Sequence, residues 1–128
     1  MKSQRFGIEI EMTGLTRRSA ALIIAKHFDT GFRHERGVYD TYSVCDQDGR
    51  KWKIVRDASI TPQCGNRFDY DPDYKVEVVS PICHYEDIET IQSIVRELRR
   101  NGHAKVNESC GIHIHVDASK HTARSLRN

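Results

Sequence analysis

Acidic and imidazole side chains recur at alternate positions in three short segments of this sequence. Glu9 and Glu11 lie two residues apart, Glu77 lies in a second segment, and His113 and His115 lie two residues apart in a third. Side chains two residues apart on a β-strand point to the same face, so each segment would present its acids or imidazoles together. If the three strands share one sheet, these five side chains converge on one of its faces.

Carboxylates and imidazoles are side chains that bind metal ions. Three carboxylates with an imidazole suit Mg²⁺ or Mn²⁺, because hard cations prefer oxygen ligands. Glu9 and Glu11 would be about 6.6 Å apart along a strand, which lets each serve a different ion of a pair. His113 and His115 point instead to zinc, because two imidazoles and an acid also form a catalytic zinc site. These residues are compatible with either kind of metal site, and also with a solvated strand face that binds no metal.

Strict alternation of apolar and polar residues predicts strands at the positions that carry these groups. The predicted strands cover 5–12, which holds the first two acids, 74–80, which Pro81 ends, and 112–117, which holds the two imidazoles. Two further strands, over 38–44 and 51–56, flank an Asp-Gly turn that favours a hairpin.

Apolar residues spaced three and four apart predict two helices. Thr16 can cap the first, which ends before Gly31, and the second covers 85–100. The segment around 34–37 and the segment 61–73 are predicted as loops, and Ser119 can cap a last short helix. Strands and helices that follow one another in this way predict an α+β fold in one domain over 1–128.

Composition limits the classes of protein that this chain can belong to. It has 128 residues, 38% of them hydrophobic, and a formal net charge of +2 with basic residues scattered among acids. We therefore expect a folded domain that binds neither nucleic acid nor membrane and lies in the cytoplasm. The four cysteines include no Cys-x-x-Cys pair, which predicts reduced thiols rather than a zinc ribbon or a disulfide scaffold.

Four motifs, in this order, resemble those of the amidoligase family. They are Gly7-Ile8-Glu9-Ile10-Glu11, Trp52 with Asp57-Ala58-Ser59, Glu77-Val78-Val79-Ser80-Pro81, and Cys110-Gly111-Ile112-His113-Ile114-His115-Val116-Asp117. That family is similar to the carboxylate-amine ligases, which include glutamine synthetase and glutamate-cysteine ligase. The resemblance implies a curved antiparallel sheet with helices packed on its convex side and the active site on its concave side.

The resemblance also implies an activity, which is ATP-dependent joining of a small-molecule or peptide carboxylate to an amine through an acyl phosphate. The residues that it implies as ligands of two Mg²⁺ or Mn²⁺ ions beside the nucleotide phosphates are Glu9, Glu11, Glu77 and His113. His115, where relatives carry other polar residues, is a further candidate metal ligand. Asp57 matches an acidic catalytic residue at the substrate end of the site.

One motif of the family has no match in this sequence. The later strands of relatives carry a Glu-x-Arg motif, whose glutamate binds metal and whose arginine steadies the transferred phosphate. We therefore expect this chain to match the N-terminal portion of the family and its sheet to be incomplete. Ligase turnover should be weak or absent unless self-association or a partner chain completes the sheet. A zinc-dependent hydrolase using His113 and His115 and a non-catalytic metal- or partner-binding module are the alternatives.

Overall fold

The computed structural model describes residues 4–68 and 70–116 and has an α+β fold. Its strands are β1 (Phe6–Met12), β2 (Phe32–Arg36), β3 (Thr41–Cys45), β4 (Lys51–Val55), β5 (Gln63–Cys64), β6 (Arg67–Phe68), β7 (Val76–Val79) and β8 (Ile112–Val116). Six strands form one antiparallel sheet in the order β2-β3-β4-β7-β1-β8, and β5 and β6 form a separate hairpin. The helices are α1 (Arg17–Phe28) and α2 (Ile88–Gly102). The predicted α+β class with an antiparallel sheet is therefore confirmed.

One face of the sheet is apolar, and both helices pack against it. Alternate residues of β1, β4 and β7 supply this face; they include Ile10, Met12, Trp52, Ile54, Val76 and Val78. Trp52 is 2% exposed, and its Nε1 donates a hydrogen bond to Asp46 Oδ2 at 3.0 Å. Trp52 is therefore a core residue of this face. The acids that alternate with these apolar residues are consequently left on the opposite face of the sheet.

The two predicted helices are present, and local interactions explain where they begin and end. Thr16 caps α1, because its Oγ1 accepts a hydrogen bond from the Ser19 N–H at 3.1 Å. Asp29, at φ +56°, ends α1 with a left-handed residue. A short 3₁₀ turn over Tyr85–Asp87 precedes α2, so that helix begins later than predicted. Every third or fourth residue of α2 is buried, as in Ile91, Ile94 and Leu98.

The structure differs from the sequence prediction at β2, the strand at one edge of the sheet. Residues 34–37 were predicted as a polar loop, but Phe32–Arg36 form β2, which pairs with β3. An edge strand is held by hydrogen bonds on one side only and needs little burial, so a mostly polar sequence suffices. The His34 ring stacks on Tyr42 with 4.1 Å between ring centroids, which adds a side-chain contact to that pairing.

Four other features concern the segment 61–73, the cysteines, membrane-spanning helices and the last short helix. The segment 61–73, predicted as a loop, contains the small β5–β6 hairpin and a 3₁₀ turn over Pro72–Tyr74. The four cysteines are free thiols, as predicted. Within the described residues, no helix combines the length and apolar character needed to cross a membrane. The predicted short helix after Ser119 lies outside the described residues.

Candidate functional site

The predicted acids and imidazoles lie on the face of the sheet that the helices leave uncovered, which we call the open face. Glu11 on β1 lies directly opposite Glu77 on β7, and Glu9 lies directly opposite His113 on β8. His115 lies opposite Gly7. The strand order therefore brings side chains that are distant in sequence onto one surface, because β1 has β7 on one side and β8 on the other.

Three carboxylates form the tightest group on the open face, and we call them the carboxylate cluster. Glu11, Asp57 and Glu77 each offer an oxygen, and these oxygens lie within 4.8 Å of one another. Glu11 and Glu77 come from paired strands, whereas Asp57 comes from the loop that follows β4. Asp57 was predicted as a residue at the substrate end of the site, and the structure places its carboxylate against the two glutamates.

Backbone groups hold two of these carboxylates in place. The N–H of Gly111 donates a hydrogen bond to Glu11 Oε1 at 2.8 Å, and the Glu11 side chain is buried. Asp57 Oδ1 accepts two hydrogen bonds from Ser59, from the N–H at 2.9 Å and from Oγ at 2.7 Å. Both carboxylates are therefore oriented before any ligand arrives.

The carboxylate cluster carries more negative charge than the neighbouring side chains neutralise. Burial, followed by the negative charges of Glu9, Asp57 and Glu11, raises the pKa of Glu77 to about 7. A hydrogen bond shared with Asp57, together with burial, raises the pKa of Glu11. The same hydrogen bond and those from Ser59 lower the pKa of Asp57. Without a cation Glu77 thus keeps a proton near neutral pH, because burial and the neighbouring carboxylates both disfavour its charged form.

The two imidazoles contact different carboxylates. His113 Nε2 lies 3.8 Å from Glu11 Oε2, and His115 Nε2 lies 3.4 Å from Glu9 Oε1. Among the described residues, the carboxylate cluster includes neither imidazole and does not include Glu9. A zinc site that uses both imidazoles on one ion is not favoured by this arrangement, since each imidazole is directed to its own acid.

Arg17 is a buried residue that supports the site, and no sequence pattern indicates this role. Its guanidinium donates to Pro72 O at 2.7 Å and to Lys75 O at 2.9 Å, just before β7. Lys75 Nζ in turn donates to Ala58 O at 3.0 Å, next to Asp57. Arg17 therefore fixes the segment leading into β7 and, through Lys75, the loop that carries Asp57.

A second connection joins the loops on either side of the cluster. Asn107 Nδ2 donates to Thr61 O at 2.9 Å and to Gln63 Oε1 at 2.6 Å. The Thr61 N–H donates to Ser109 Oγ at 2.7 Å. These hydrogen bonds connect the segment after Asp57 to the segment before Gly111. The N–H groups of Ser59 and Gly111, which orient two of the carboxylates, therefore lie on connected segments.

Glu77→Gln is expected to stabilise the metal-free protein at pH 8. The folded-state pKa of Glu77, about 7, lies above its ordinary value of 4.5. The folded state therefore binds the extra proton, and the free energy of unfolding falls as the pH rises from about 4.5 through 7. A neutral Gln avoids this loss, and we expect a gain on the order of 1–2 kcal/mol at pH 8 that disappears near pH 4.

Urea denaturation in the presence of a chelator, repeated from pH 4 to pH 8, measures this effect. Added Mn²⁺ should then stabilise the natural protein more than the variant, because a bound cation offsets the same repulsion. A variant less stable than the natural protein at pH 8 without metal would contradict this account.

Comparison with known proteins agrees with the geometry of the site. The model of the family described as Putative amidoligase enzyme matches residues 2–128. No curated protein and no solved structure matches the chain. The match includes β1, β7, β8 and the loop that carries Asp57, so all elements of the carboxylate cluster lie inside it. The resemblance found in the four sequence motifs is thereby confirmed, and the chain belongs to the amidoligase family.

Proposed function

We propose that this protein is an ATP-dependent carboxylate-amine ligase whose carboxylate cluster binds Mg²⁺ or Mn²⁺. One observation carries the proposal. Glu11 lies directly opposite Glu77 on a neighbouring strand, and Asp57 brings a third carboxylate within 4.8 Å of both. Like charges that face each other across paired strands destabilise a sheet. A bound cation converts this unfavourable arrangement into a favourable one.

The residues present fit a hard divalent cation. Every ligand atom that the cluster offers is a carboxylate oxygen, which Mg²⁺ and Mn²⁺ prefer over the nitrogen and sulfur ligands typical of structural zinc. Glu9 and the imidazole of His115, 3.4 Å apart, lie beside the cluster and can hold a second ion or its water. Such ions, when bound, neutralise the phosphate oxygens of ATP and align them for attack.

The proposed reaction has two steps. The carboxylate of the acid substrate attacks the terminal phosphorus of ATP, the bond from phosphorus to the ADP oxygen breaks, and an acyl phosphate forms. The amine then attacks the acyl carbon, the carbon–oxygen bond to phosphate breaks, and an amide forms as the amine loses a proton. The first step brings an anion towards the anionic phosphate chain, and the second brings a lone pair to a carbon that carries a phosphate leaving group, so the site must supply positive charge and orientation.

Different residues of the chain bind the cation and accept the proton. Glu11 and Glu77 are held on paired strands, and we assign them, with Asp57, to the cation. His113 is the imidazole next to the cluster, 3.8 Å from Glu11 Oε2, and its side chain is exposed on the open face. Imidazole is the side chain best suited to accept a proton near neutral pH, so we assign the proton of the attacking amine to His113.

Two measurements on the purified protein test the proposal. Mn²⁺ binding is followed by the electron paramagnetic resonance of free Mn²⁺, and ATP binding by calorimetry with and without Mn²⁺. Hydroxylamine then replaces the amine with a panel of carboxylic acids, because it traps an acyl phosphate as a hydroxamate. We expect Mn²⁺ to be required for ATP binding. We expect hydroxamate to form slowly, in amounts equal to ADP and phosphate, because the sequence has no match to the Glu-x-Arg motif.

The outcomes separate the candidate functions. Binding of Mn²⁺ and ATP without hydroxamate would favour the non-catalytic module. Tight zinc with no Mn²⁺ binding would favour the hydrolase. If neither Mn²⁺ nor ATP binds, the proposed function is wrong.

A further inference from the structure

Along one row of the open face, basic side chains lie on one half of the sheet and acidic and imidazole side chains on the other. One row of directly opposed residues crosses all six strands of the sheet, from β2 to β8, and consists of Arg33, Ser43, Lys53, Val79, Glu9 and His113. The basic side chains lie on β2 and β4, and the acidic and imidazole side chains lie on β1 and β8. Val79, which has no charge, separates the two halves of the row.

Lys53 differs from the neighbouring lysine on the same strand and face. Lys51 is already paired, because its Nζ lies 3.4 Å from Glu35 Oε2. Among the residues that the structure describes, Lys53 has no ion-pair partner within 4.0 Å. Its directly opposed neighbours are Ser43 and Val79, neither of which carries a charge. Lys53 thus presents an exposed ammonium group that makes no ion pair among the described residues, although its charge contributes, after that of Lys51, to the lowered pKa of Glu35.

The spacing of the strands places this ammonium group within reach of a ligand held at the acidic half. Lys53 lies two strands from Glu9 in the same row, which corresponds to about 10 Å between their Cα atoms. Lys53 is also a diagonal neighbour of Glu77, which lies opposite Val55. The flexible four-carbon stem of lysine lets its ammonium group swing towards the cluster. An anion bound above Val79 would contact both halves.

We propose that Lys53 binds an anionic group, a phosphate or a carboxylate, of the ligand whose other end lies at the carboxylate cluster. The ligand class is a polyanion, either the phosphate chain of the nucleotide or an acid with a second carboxylate. Arg33 extends the positive surface in the same row. The inference rests on the proposed function, because the cluster accepts an anion only after a cation has reversed its charge.

Two variants with matched charge test this assignment. Lys53→Met and Lys51→Met each remove one positive charge from the same strand and face, but of the two lysines only Lys51 forms an ion pair with Glu35. Calorimetry on the Mn²⁺-loaded full chain measures the affinity for inorganic tripolyphosphate and for glutarate, a five-carbon dicarboxylate. We expect Lys53→Met to weaken one of the two probes by about tenfold or more and Lys51→Met by less than about threefold.

The probe that is weakened identifies the source of the anion. Loss of tripolyphosphate affinity assigns Lys53 to the nucleotide, and loss of glutarate affinity assigns it to the acid substrate. Equal effects of the two variants, or no binding of either probe to the Mn²⁺-loaded natural protein, would overturn the assignment and leave the metal site intact. Failure of the natural protein to bind Mn²⁺ would instead show that the proposed function itself is wrong.

Discussion

Glu11→Gln is expected to lower the affinity of the protein for Mn²⁺ by about a hundredfold or more. Glu11 is the buried member of the carboxylate cluster, and the Gly111 N–H fixes its orientation at 2.8 Å. The amide of Gln keeps the shape and accepts that hydrogen bond, but it removes a full negative charge from the ligand set. Titration with Mn²⁺, read by electron paramagnetic resonance, measures the change.

Glu35→Gln provides the control for Glu11→Gln. Glu35 also lies on the open face, but hydrogen bonding to Ser43 and the charge of Lys51 lower its pKa, and it lies at the basic end of the sheet. Its loss changes the net charge by the same amount without touching the cluster, so the Mn²⁺ affinity should change by less than about threefold. Equal losses in the two variants would show that Mn²⁺ binds through general surface charge rather than at the cluster.

Arg17→Met is expected to destabilise the fold by about 3–5 kcal/mol, the largest effect on stability that we predict. The guanidinium of Arg17 is buried and donates five hydrogen bonds, to Asp40, Asp73 and the carbonyls of Pro72 and Lys75. Met fills a similar volume but leaves these acceptors without their donor. Urea denaturation at pH 7 measures the loss.

The pH dependence of this loss identifies its electrostatic part. Hydrogen bonding to Arg17 lowers the pKa of Asp40 below its ordinary value of 3.8. Stability from this pair is therefore present above about pH 4 and is lost as the pH falls through the folded-state pKa. The difference between the natural protein and Arg17→Met should shrink in acid, and an unchanged difference would contradict the role given to Asp40.

Arg18→Met is the control for Arg17→Met. Arg18 is the next residue of α1 but is exposed, and its guanidinium lies 5.2 Å from the centre of the Phe32 ring. We expect its replacement to cost less than about 1 kcal/mol. A large effect of Arg18→Met would indicate that loss of any charge in the first turn of α1 destabilises the fold.

The part of the site that lies on strands could be predicted from the sequence. Glu9, Glu11 and Glu77 alternate with buried residues, and an alternating pattern fixes the face on which a side chain lies. The two imidazoles follow the same rule. Their grouping on one face required only that the strands share a sheet, and the order β7-β1-β8 meets that condition.

The parts that lie on loops or depend on tertiary contacts could not be predicted in this way. Asp57 follows a strand, and no periodicity fixes the direction of a loop residue, so only the family motif drew attention to it. Arg17 follows a helix cap, where a charged side chain usually lies in solvent. Its burial depends on Asp40 and on the segment before β7, which are distant in sequence. β2 escaped prediction because an edge strand with polar residues lacks the apolar alternation of a central one.

The different supports of the three carboxylates also bear on which ions they accommodate. The backbone hydrogen bonds between β1 and β7 set the distance between Glu11 and Glu77. Each of these strands has a neighbouring strand on both sides, so the distance changes little. Asp57 lies on a loop, and Ser59 orients its carboxylate there. A change in ionic radius is therefore accommodated more readily by a shift of this loop than by a change in the distance between the two strands.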